Sequence, residues 1–173
     1  WYGNLDYIIN WGNNGNEIRN FRDSKTGKIK SSNYNIDFNL RESISWSDLT
    51  TGKFSARYSS KGALFDTSGP SMFLKDKTLT FYLLALVNSK VMQELIKTYS
   101  IGLHYSTGAV GNIPFIIDDK EIITDIAKKC VALAKQDWDS YQTSWDFSFH
   151  PLLVSTKDSK HIETEMRPTE YIS

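Results

Sequence analysis

The sequence predicts an α+β fold in which a short-stranded mixed β-sheet is followed by two helices that bracket one further strand. Two observations support this class. Up to residue 78, short apolar or alternating stretches are separated by Gly, Asn, Ser and Asp, which is typical of short strands joined by turns. From residue 79 onward, apolar residues recur at intervals of three and four, which indicates amphipathic helices.

The clearest predicted strand is residues 33–40, in which every second residue is apolar. Asn14-Gly15 predicts a turn, and residues 24–32 predict a polar loop or hairpin tip. Further strands are predicted at residues 6–11, 43–49 and 54–59, and on either side of the Gly-Pro turn within residues 62–74.

Two helices are predicted in the second half of the chain. The first covers about residues 80–98, and Gly102 shortly after it is a typical terminator. The second covers about residues 119–136, with Asp118 or Asp119 as its N-cap, and a short strand near 113–117 precedes it. The predicted organisation is an α+β domain at 1–136, an aromatic segment at 137–153 and a polar tail at 154–173.

Size and composition limit the class of protein. A chain of 173 residues has the length of one domain, and its 20 basic and 20 acidic residues cancel. Its longest apolar run is far shorter than the roughly 20 residues that cross a bilayer. The single cysteine, Cys130, excludes an internal disulfide, lies at helical spacing among apolar residues, and fits a reducing, cytoplasmic location. Because the chain starts at Trp1 without methionine, an excised fragment is expected.

The charges are unevenly distributed along the chain. Residues 1–62 hold nine Lys or Arg against six Asp or Glu, whereas residues 118–146 hold four against seven. The basic bias of the first part suggests a polyanion partner, although a solvated loop explains it equally well. The densest basic cluster consists of Arg19, Arg22, Lys25, Lys28 and Lys30.

Few patterns typical of catalysis or cofactor binding are present. Gly108 and Gly111 follow no convincing strand and precede no predicted helix, which disfavours a phosphate-binding loop. The three histidines lack metal-ligand spacing, and no GxSxG elbow of a serine hydrolase occurs. We therefore predict no catalytic residue, no metal site and no cofactor in this segment. The histidines are His104, His150 and His161.

The stretch DWDSYQTSWDF at residues 137–147 allows two interpretations. Its aspartates could serve a small nuclease or hydrolase. In the interpretation that we favour, its aromatic residues clamp the segment to the domain, since each can bury about 150 Å² or more, and the aspartates cap turns or pair with arginine. The residues are Asp137, Asp139 and Asp146 in the first case, and Trp138, Trp145 and Phe147 in the second.

Six stretches of the chain together resemble one protein family. They are WYGNLDYIINWGNNGNEIRNF, SISWSDL, FSARYSSKGALFDTSGPSMF, LLALVNSKV, VGNIPF and DWDSYQTSWDF. In this order they are similar to the C-terminal part of large adenine-specific DNA methyltransferases, chiefly the PglX type of BREX phage-defence systems, together with related fused restriction–modification enzymes. The resemblance extends from Trp1 to about Leu153.

The resemblance implies a role in DNA sequence recognition. In that family an upstream catalytic domain binds S-adenosylmethionine at a Gly-rich turn and holds the adenine with an Asn/Asp-Pro-Pro-Tyr/Phe motif. Neither feature occurs here, and NIPF at residues 112–115 has Ile113 in place of the first proline. The chain therefore resembles the β-rich target recognition domain, which is non-catalytic alone. The implied partners are double-stranded DNA and the upstream methyltransferase domain.

Candidate DNA contacts follow from residue chemistry. Enzymes that modify a base flip it out of the duplex, so the flanking base pairs have to be held. Basic side chains neutralise phosphates, and Arg and Ser can read base edges. The rival hypothesis is a protein-interaction module that uses the acidic region 118–146 to dock a catalytic domain or another subunit. We expect phosphate contacts from Arg19, Arg22, Lys25 and Lys28, and base or groove contacts from Arg41, Ser45, Arg57 and Tyr58.

Overall fold

A computed structural model describes residues 1–3, 5–31, 34–100 and 102–155, and it has the predicted α+β class. The polar tail predicted at 154–173 lies almost entirely outside the described residues. The strands are β1 (Ser43–Trp46), β2 (Ala56–Ser59) and β3 (Ser71–Met72). The helices are α1 (Gly12–Arg19), α2 (Thr80–Asn88), α3 (Lys90–Tyr99), α4 (Thr107–Gly111), α5 (Lys120–Trp138) and α6 (Pro151–Ser155), and short 3-10 turns cover Ile36–Phe38 and Lys77–Leu79.

The three strands form one sheet in the order β2-β1-β3. Both pairings are antiparallel, where the sequence had suggested a mixed sheet. Ile44 of β1 lies opposite Tyr58 and Met72, and Trp46 lies opposite Ala56. Because directly opposed residues point to the same side of a sheet, these side chains share one face, which we call the inner face.

Helix α2 packs against both the sheet and α5. It is apolar on most of its circumference, and Leu84 and Val87 on it are only 0% and 1% exposed, as expected for a helix that is covered on several sides. Trp46 belongs to the same core, and its indole nitrogen donates to the Tyr105 carbonyl at 2.7 Å. The other core residues include Ile44, Phe54, Ala56, Leu83, Ile96, Val110 and Val131.

The single helix predicted at residues 80–98 is interrupted. Ser89 has extended backbone angles (φ −67°, ψ 150°), and its hydroxyl caps α3 by accepting a bond from Met92 N. The break leaves Asn88 facing the edge strand β2. Its side-chain oxygen accepts from Ala56 N at 2.8 Å, and its side-chain nitrogen donates to Ala56 O at 2.9 Å. One amide side chain thus satisfies backbone groups that β2 presents beyond the sheet.

Two regions predicted to be strands adopt other conformations. Residues 6–11 are irregular and lead into α1, which starts with a left-handed stretch at residues 13–15 (φ 50°, 57° and 71°). The described part of residues 33–40 contains a 3-10 turn, because Asn35 and Leu40 have positive φ angles of 56° and 61°. An extended strand does not accommodate such angles in its interior, so alternation of apolar residues was misleading here.

Residues 113–117, predicted as a strand, are irregular in the described structure. The hydroxyl of the buried Tyr82 donates to Ile116 O at 2.9 Å and accepts from Asp118 N at 3.0 Å. One tyrosine therefore satisfies backbone groups that a neighbouring strand would otherwise pair. The second predicted helix is confirmed as α5, with Asp119 at the N-cap position but without a side-chain capping bond.

Candidate nucleic-acid interface

Residues 21–30 form a small hairpin, which we call the basic hairpin. Arg22 and Ile29 make an antiparallel bridge, and Gly27, with φ of 68°, lies in its turn. A positive φ is readily adopted by glycine, which explains this residue at the tip. The predicted hairpin tip at 24–32 is therefore present in its described part.

Asp23 organises the tip of the basic hairpin. Its carboxylate accepts bonds from the backbone nitrogens of Lys25 at 2.9 Å and Thr26 at 2.8 Å, and it pairs with Lys30 at 3.1 Å. These contacts lower the pKa of Asp23, with the bond from Thr26 N contributing most and Lys30 next. The Asp23 carboxylate is held inside the turn by these bonds. It offsets the positive charge of Lys30 but makes no ion pair with Lys25 or Lys28.

The basic side chains predicted to contact phosphates are partly brought together. Lys25 and Lys28 are exposed at the tip, and neither has an ion-pair partner in the part of the chain that the structure describes. The Arg22 guanidinium donates to the Gly27 carbonyl at 2.9 Å, which holds it along the hairpin. Arg19 is half-buried at the end of α1, just before the hairpin.

Ser45 and Arg57 lie opposite each other on β1 and β2, on the face of the sheet away from the core. The Arg57 guanidinium donates to the Ser47 hydroxyl at 3.0 Å, and burial lowers its pKa. Both Arg57 and Ser47 line a cleft of about 570 Å³. The cleft combines aromatic walls with polar groups, and its lining also includes Tyr7, Trp11, Phe65 and Asp66.

Tyr58 and Arg41 do not join this outer face. Tyr58 is on the inner face, where its ring stacks on Phe81 with a centroid distance of 5.1 Å. Burial, followed by the nearby Glu42 charge, raises the pKa of the Tyr58 hydroxyl. The Arg41 guanidinium lies 5.1 Å from the Phe38 ring centroid, on the turn that precedes β1. The two residues therefore face different surroundings from Ser45 and Arg57.

The acidic segment after α5 is organised around Lys135. Its ammonium group bonds Asp139 at 2.5 Å and Asp146 at 2.6 Å, and these two bonds, Asp139 first, raise the pKa of Lys135. Burial alone would raise the pKa of Asp139, but hydrogen bonds from Lys135 and Ser144 hold it below the usual value. Asp139 is therefore ionised at neutral pH and already bonded to Lys135 and Ser144. It has no proton to donate, which makes it unsuited to the role of a general acid. Asp137 is exposed, and its carboxylate makes no ion pair with any residue that the structure describes.

The aromatic residues of the same segment contact the start of the chain. Trp138 packs so closely on Gly3 (φ 101°) that a Cβ there would lie 2.6 Å from the ring. The Trp145 indole nitrogen donates to Leu5 O at 3.0 Å, yet the side chain is 64% exposed. Phe147 is half-buried. The segment thus attaches to the domain through a hydrogen bond and the Lys135 ion pairs as well as through aromatic burial.

The other sites considered from the sequence are structural in the described chain. Gly108 and Gly111 belong to α4, whose cap is the Ser106 hydroxyl, so they do not form a strand-to-helix phosphate loop. His104 pairs with Asp48 at 2.8 Å. His150 accepts a bond from a nearby backbone nitrogen, and His161 lies outside the described residues. Within residues 1–3, 5–31, 34–100 and 102–155, no group of three or more His, Cys, Asp or Glu could hold a metal ion.

None of the helices described in the structure is long and apolar enough to span a membrane.

The roles of two residues in the candidate interface were not predicted from the sequence. Asp23, which shapes the hairpin tip, carries a recognisable signal, because Asp followed by Ser, Lys, Thr and Gly is typical of a turn closed by the aspartate side chain. Ser47, which holds Arg57, has no such signal, since their contact depends on how two strands pair across ten residues.

Two curated proteins are similar to most of this chain. The "Adenine-specific methyltransferase PglX" of Lacticaseibacillus casei (strain Zhang) is 38% identical over 155 residues, which cover 90% of this chain and 13% of that protein. The "Adenine-specific methyltransferase BrxX" of Escherichia coli O9:H4 (strain HS) is 35% identical over 155 residues, which cover 88% of this chain and 12% of that protein. The chain thus spans about an eighth of the length of these relatives. No family model matches the chain.

Proposed function

We propose, from the premise that this chain is a PglX-type region, that it is the DNA-recognition part of an adenine-specific DNA methyltransferase in a phage-defence or restriction–modification system. The longer protein is called the parent methyltransferase below. The chain holds duplex DNA while methyl transfer takes place elsewhere in that protein. S-adenosylmethionine binds in that other part, because this sequence contains no Gly-rich strand–turn–helix to receive it.

The basic hairpin carries this proposal. Asp23 fixes the turn from which Lys25 and Lys28 extend. Its carboxylate is already bonded to the turn amides and to Lys30. The two exposed lysines have no ion pair among the described residues, so their charge is available for DNA phosphates. A small exposed hairpin whose lysines lack ion-pair partners is well suited to contact a phosphate backbone, which supplies most of the affinity in such interfaces.

The outer face of the sheet supports a second set of contacts. Arginine has five N–H donors, and Arg57 uses one of them on Ser47 within the described structure. Arg57 lines a cleft with aromatic walls, and a planar guanidinium can bond a base edge in a bidentate manner. We therefore assign Arg57, with Ser45 beside it, to base contact, and the basic hairpin to phosphate contact.

A salt titration of DNA affinity tests the phosphate contacts. In the parent methyltransferase, Lys25→Ala together with Lys28→Ala should weaken binding to all duplex sequences alike. Each phosphate contact contributes about 0.9 to the slope of log affinity against log salt, so the slope should fall by about 2. Fluorescence anisotropy with a labelled duplex at several salt concentrations measures both effects.

The matched control is Lys90→Ala together with Lys97→Ala on α3, which removes the same charge from another element. The control variant should keep the wild-type slope. An equal loss of slope in both double variants would mean that net charge alone is responsible, and the assignment of the basic hairpin to phosphate contact would then be wrong.

A second candidate function is docking of another protein domain, and one observation favours it. Apolar side chains of α5 are exposed on the side away from α2. The acidic segment that follows is less available to a partner, because Asp139 and Asp146 in it already pair with Lys135. DNA recognition and docking are compatible because they use different surfaces. Loss of DNA binding in the hairpin variants, with the rest of the protein still assembled, would separate the two functions.

A further inference from the structure

The outer face of the sheet has small residues along β1 and its neighbour on the β3 side. Ser45 lies opposite Ser71 of β3. Two backbone bonds continue the antiparallel pairing toward residue 68, and they put Gly69 opposite Ser47. We call these four residues the floor of the cleft. The two bonds join Trp46 N to Pro70 O at 3.2 Å and Asp48 N to Ser68 O at 3.0 Å.

Arg57 lies at one side of the floor and has no counter-ion. Its side chain is half-buried, and its guanidinium donates to the Ser47 hydroxyl at 3.0 Å. It makes no ion pair with any residue that the structure describes. Withdrawing a charged group from water costs free energy unless other groups bond it. The fold therefore holds a guanidinium in place while most of its donors have no partner within the described chain.

Asp66 lies at the other side of the floor. Its Oδ1 atom accepts bonds from Ser68 N at 2.9 Å and from Gly69 N at 2.7 Å, which fixes the carboxylate beside Gly69. Its Oδ2 atom has no hydrogen-bond or ion-pair partner among the described residues. Asp66 is exposed and lines the same cleft as Arg57. The cleft thus contains an acceptor as well as a donor group.

The two charged groups are close together but do not pair. Arg57 is bonded to Ser47, Asp66 is bonded to Gly69, and Ser47 and Gly69 are opposed across the strands. Neighbouring strands lie about 4.8 Å apart, so the two attachment points are separated by roughly that distance. A bond between a guanidinium and a carboxylate is among the strong hydrogen bonds of proteins, yet no ion pair joins Arg57 and Asp66 in the described structure. Their separation leaves a donor group and an acceptor group side by side for a ligand.

We propose that Arg57 and Asp66 together read one G·C base pair in the major groove of duplex DNA. This inference rests on the proposed DNA-recognition function and names the base pair that the cleft contacts. Guanine presents the acceptors O6 and N7, which a guanidinium bonds in a bidentate manner, and its paired cytosine presents the N4 amino group to a carboxylate. Thymine presents the acceptor O4 instead, which would face the Asp66 carboxylate unfavourably. A donor group beside an acceptor group therefore matches G·C and disfavours A·T.

Selection from a pool of duplexes with randomised sequence tests the proposal in the parent methyltransferase. The wild-type protein should select a site with a G·C pair on which both side chains depend. Arg57→Ala and Asp66→Asn should each reduce the preference for that pair over A·T by at least about fivefold, the lower limit for a good base contact. Asp66→Asn keeps an oxygen for the amides of Ser68 and Gly69, so the turn should be retained. Fluorescence anisotropy with matched duplexes measures the preference.

The matched control is Asp125→Asn, which removes a carboxylate from α5 and should keep the wild-type preference. Three outcomes would overturn the proposal: the two variants alter different base pairs, either variant keeps the wild-type preference, or either one weakens binding to all sequences alike. A wild-type protein that binds no duplex would contradict the DNA-recognition function as well. A wild-type protein that selects a sequence whose preference survives in both variants would contradict only the reading of a G·C pair.

A guanine analogue tests which atom Arg57 contacts. 7-Deazaguanine lacks N7, so in place of the identified guanine it should weaken binding of the wild-type protein by about fivefold. The Arg57→Ala variant has already lost the contact, so its affinity should be the same for both duplexes. An equal loss in the two proteins would mean that another group contacts N7, and the assignment of Arg57 would be wrong.

Discussion

The basic hairpin and the core formed by the sheet, α2 and α5 are stabilised by different kinds of contact. In the hairpin, a single carboxylate bonds two backbone amides and one lysine, and the surrounding residues are mostly exposed. In the core, apolar side chains such as Leu84 and Ile96 are removed from water completely. The surface proposed to bind DNA therefore depends little on apolar burial, so its residues can be substituted without unfolding the domain.

The largest expected effect of a substitution on stability is in the core. Leu84→Ala should lower the free energy of unfolding by about 2–5 kcal/mol, because it removes a fully buried side chain and leaves a cavity between the sheet and the helices. Urea denaturation followed by circular dichroism measures the change. Val91→Ala is the control, because its side chain is 68% exposed and the substitution should change stability by less than about 0.5 kcal/mol. Similar changes for both variants would contradict the assignment of Leu84 to the core.

A smaller effect is expected at Asn88, where a polar contact lies within the packed region. Asn88→Ala removes both bonds to Ala56 and leaves the backbone of β2 without these partners, which should cost about 1–3 kcal/mol of unfolding free energy. The same denaturation experiment measures it. Asn112→Ala, an exposed asparagine after α4, should leave the stability unchanged. An unchanged midpoint for Asn88→Ala would mean that water replaces the lost bonds without cost.

The smallest effect on global stability, but a clear local one, is expected at Asp23. Its folded-state pKa is lowered, so the order that it gives the hairpin tip is present at neutral pH and is lost as the pH falls through that lowered value, below the usual carboxyl range. The amide chemical shifts of Lys25 and Thr26 in an NMR titration report this opening, while core amides should not change in the same pH range.

The Asp23→Asn variant separates the effect of the turn hydrogen bonds from that of the ion pair. Asparagine keeps an oxygen that can accept from the turn amides but loses the ion pair with Lys30. The tip should therefore stay ordered and become independent of acid pH. If core amides in the wild-type chain shifted together with the tip, the hairpin and the core would unfold as one unit, and the proposed independence of the two regions would be wrong.

Elements that are specified by residues close together in the chain were predicted most accurately from the sequence. Helix α5 and the strands β1 and β2 were predicted near their observed positions, because apolar periodicity and neighbouring turn residues specify such elements. The alternation of apolar and polar residues did not predict the structure of residues 34–40 correctly. Two residues there have positive φ angles, so the chain forms a turn where a strand was predicted. The helix predicted at 80–98 was split because Ser89 forms a better cap than a helix interior residue.

The sequence alone determined the α+β class, the basic bias of the first 62 residues and the turn that presents Lys25 and Lys28, since each depends on residues close together in the chain. The packing of the whole domain settles which of the adjacent residues Arg57 and Tyr58 faces the core and which partners each one meets. It also decided the bonds between Asn88 and Ala56, 32 residues apart, and between Trp145 and Leu5, 140 residues apart. Such contacts depend on which surfaces the packed core brings together, and no local pattern of residues specifies that.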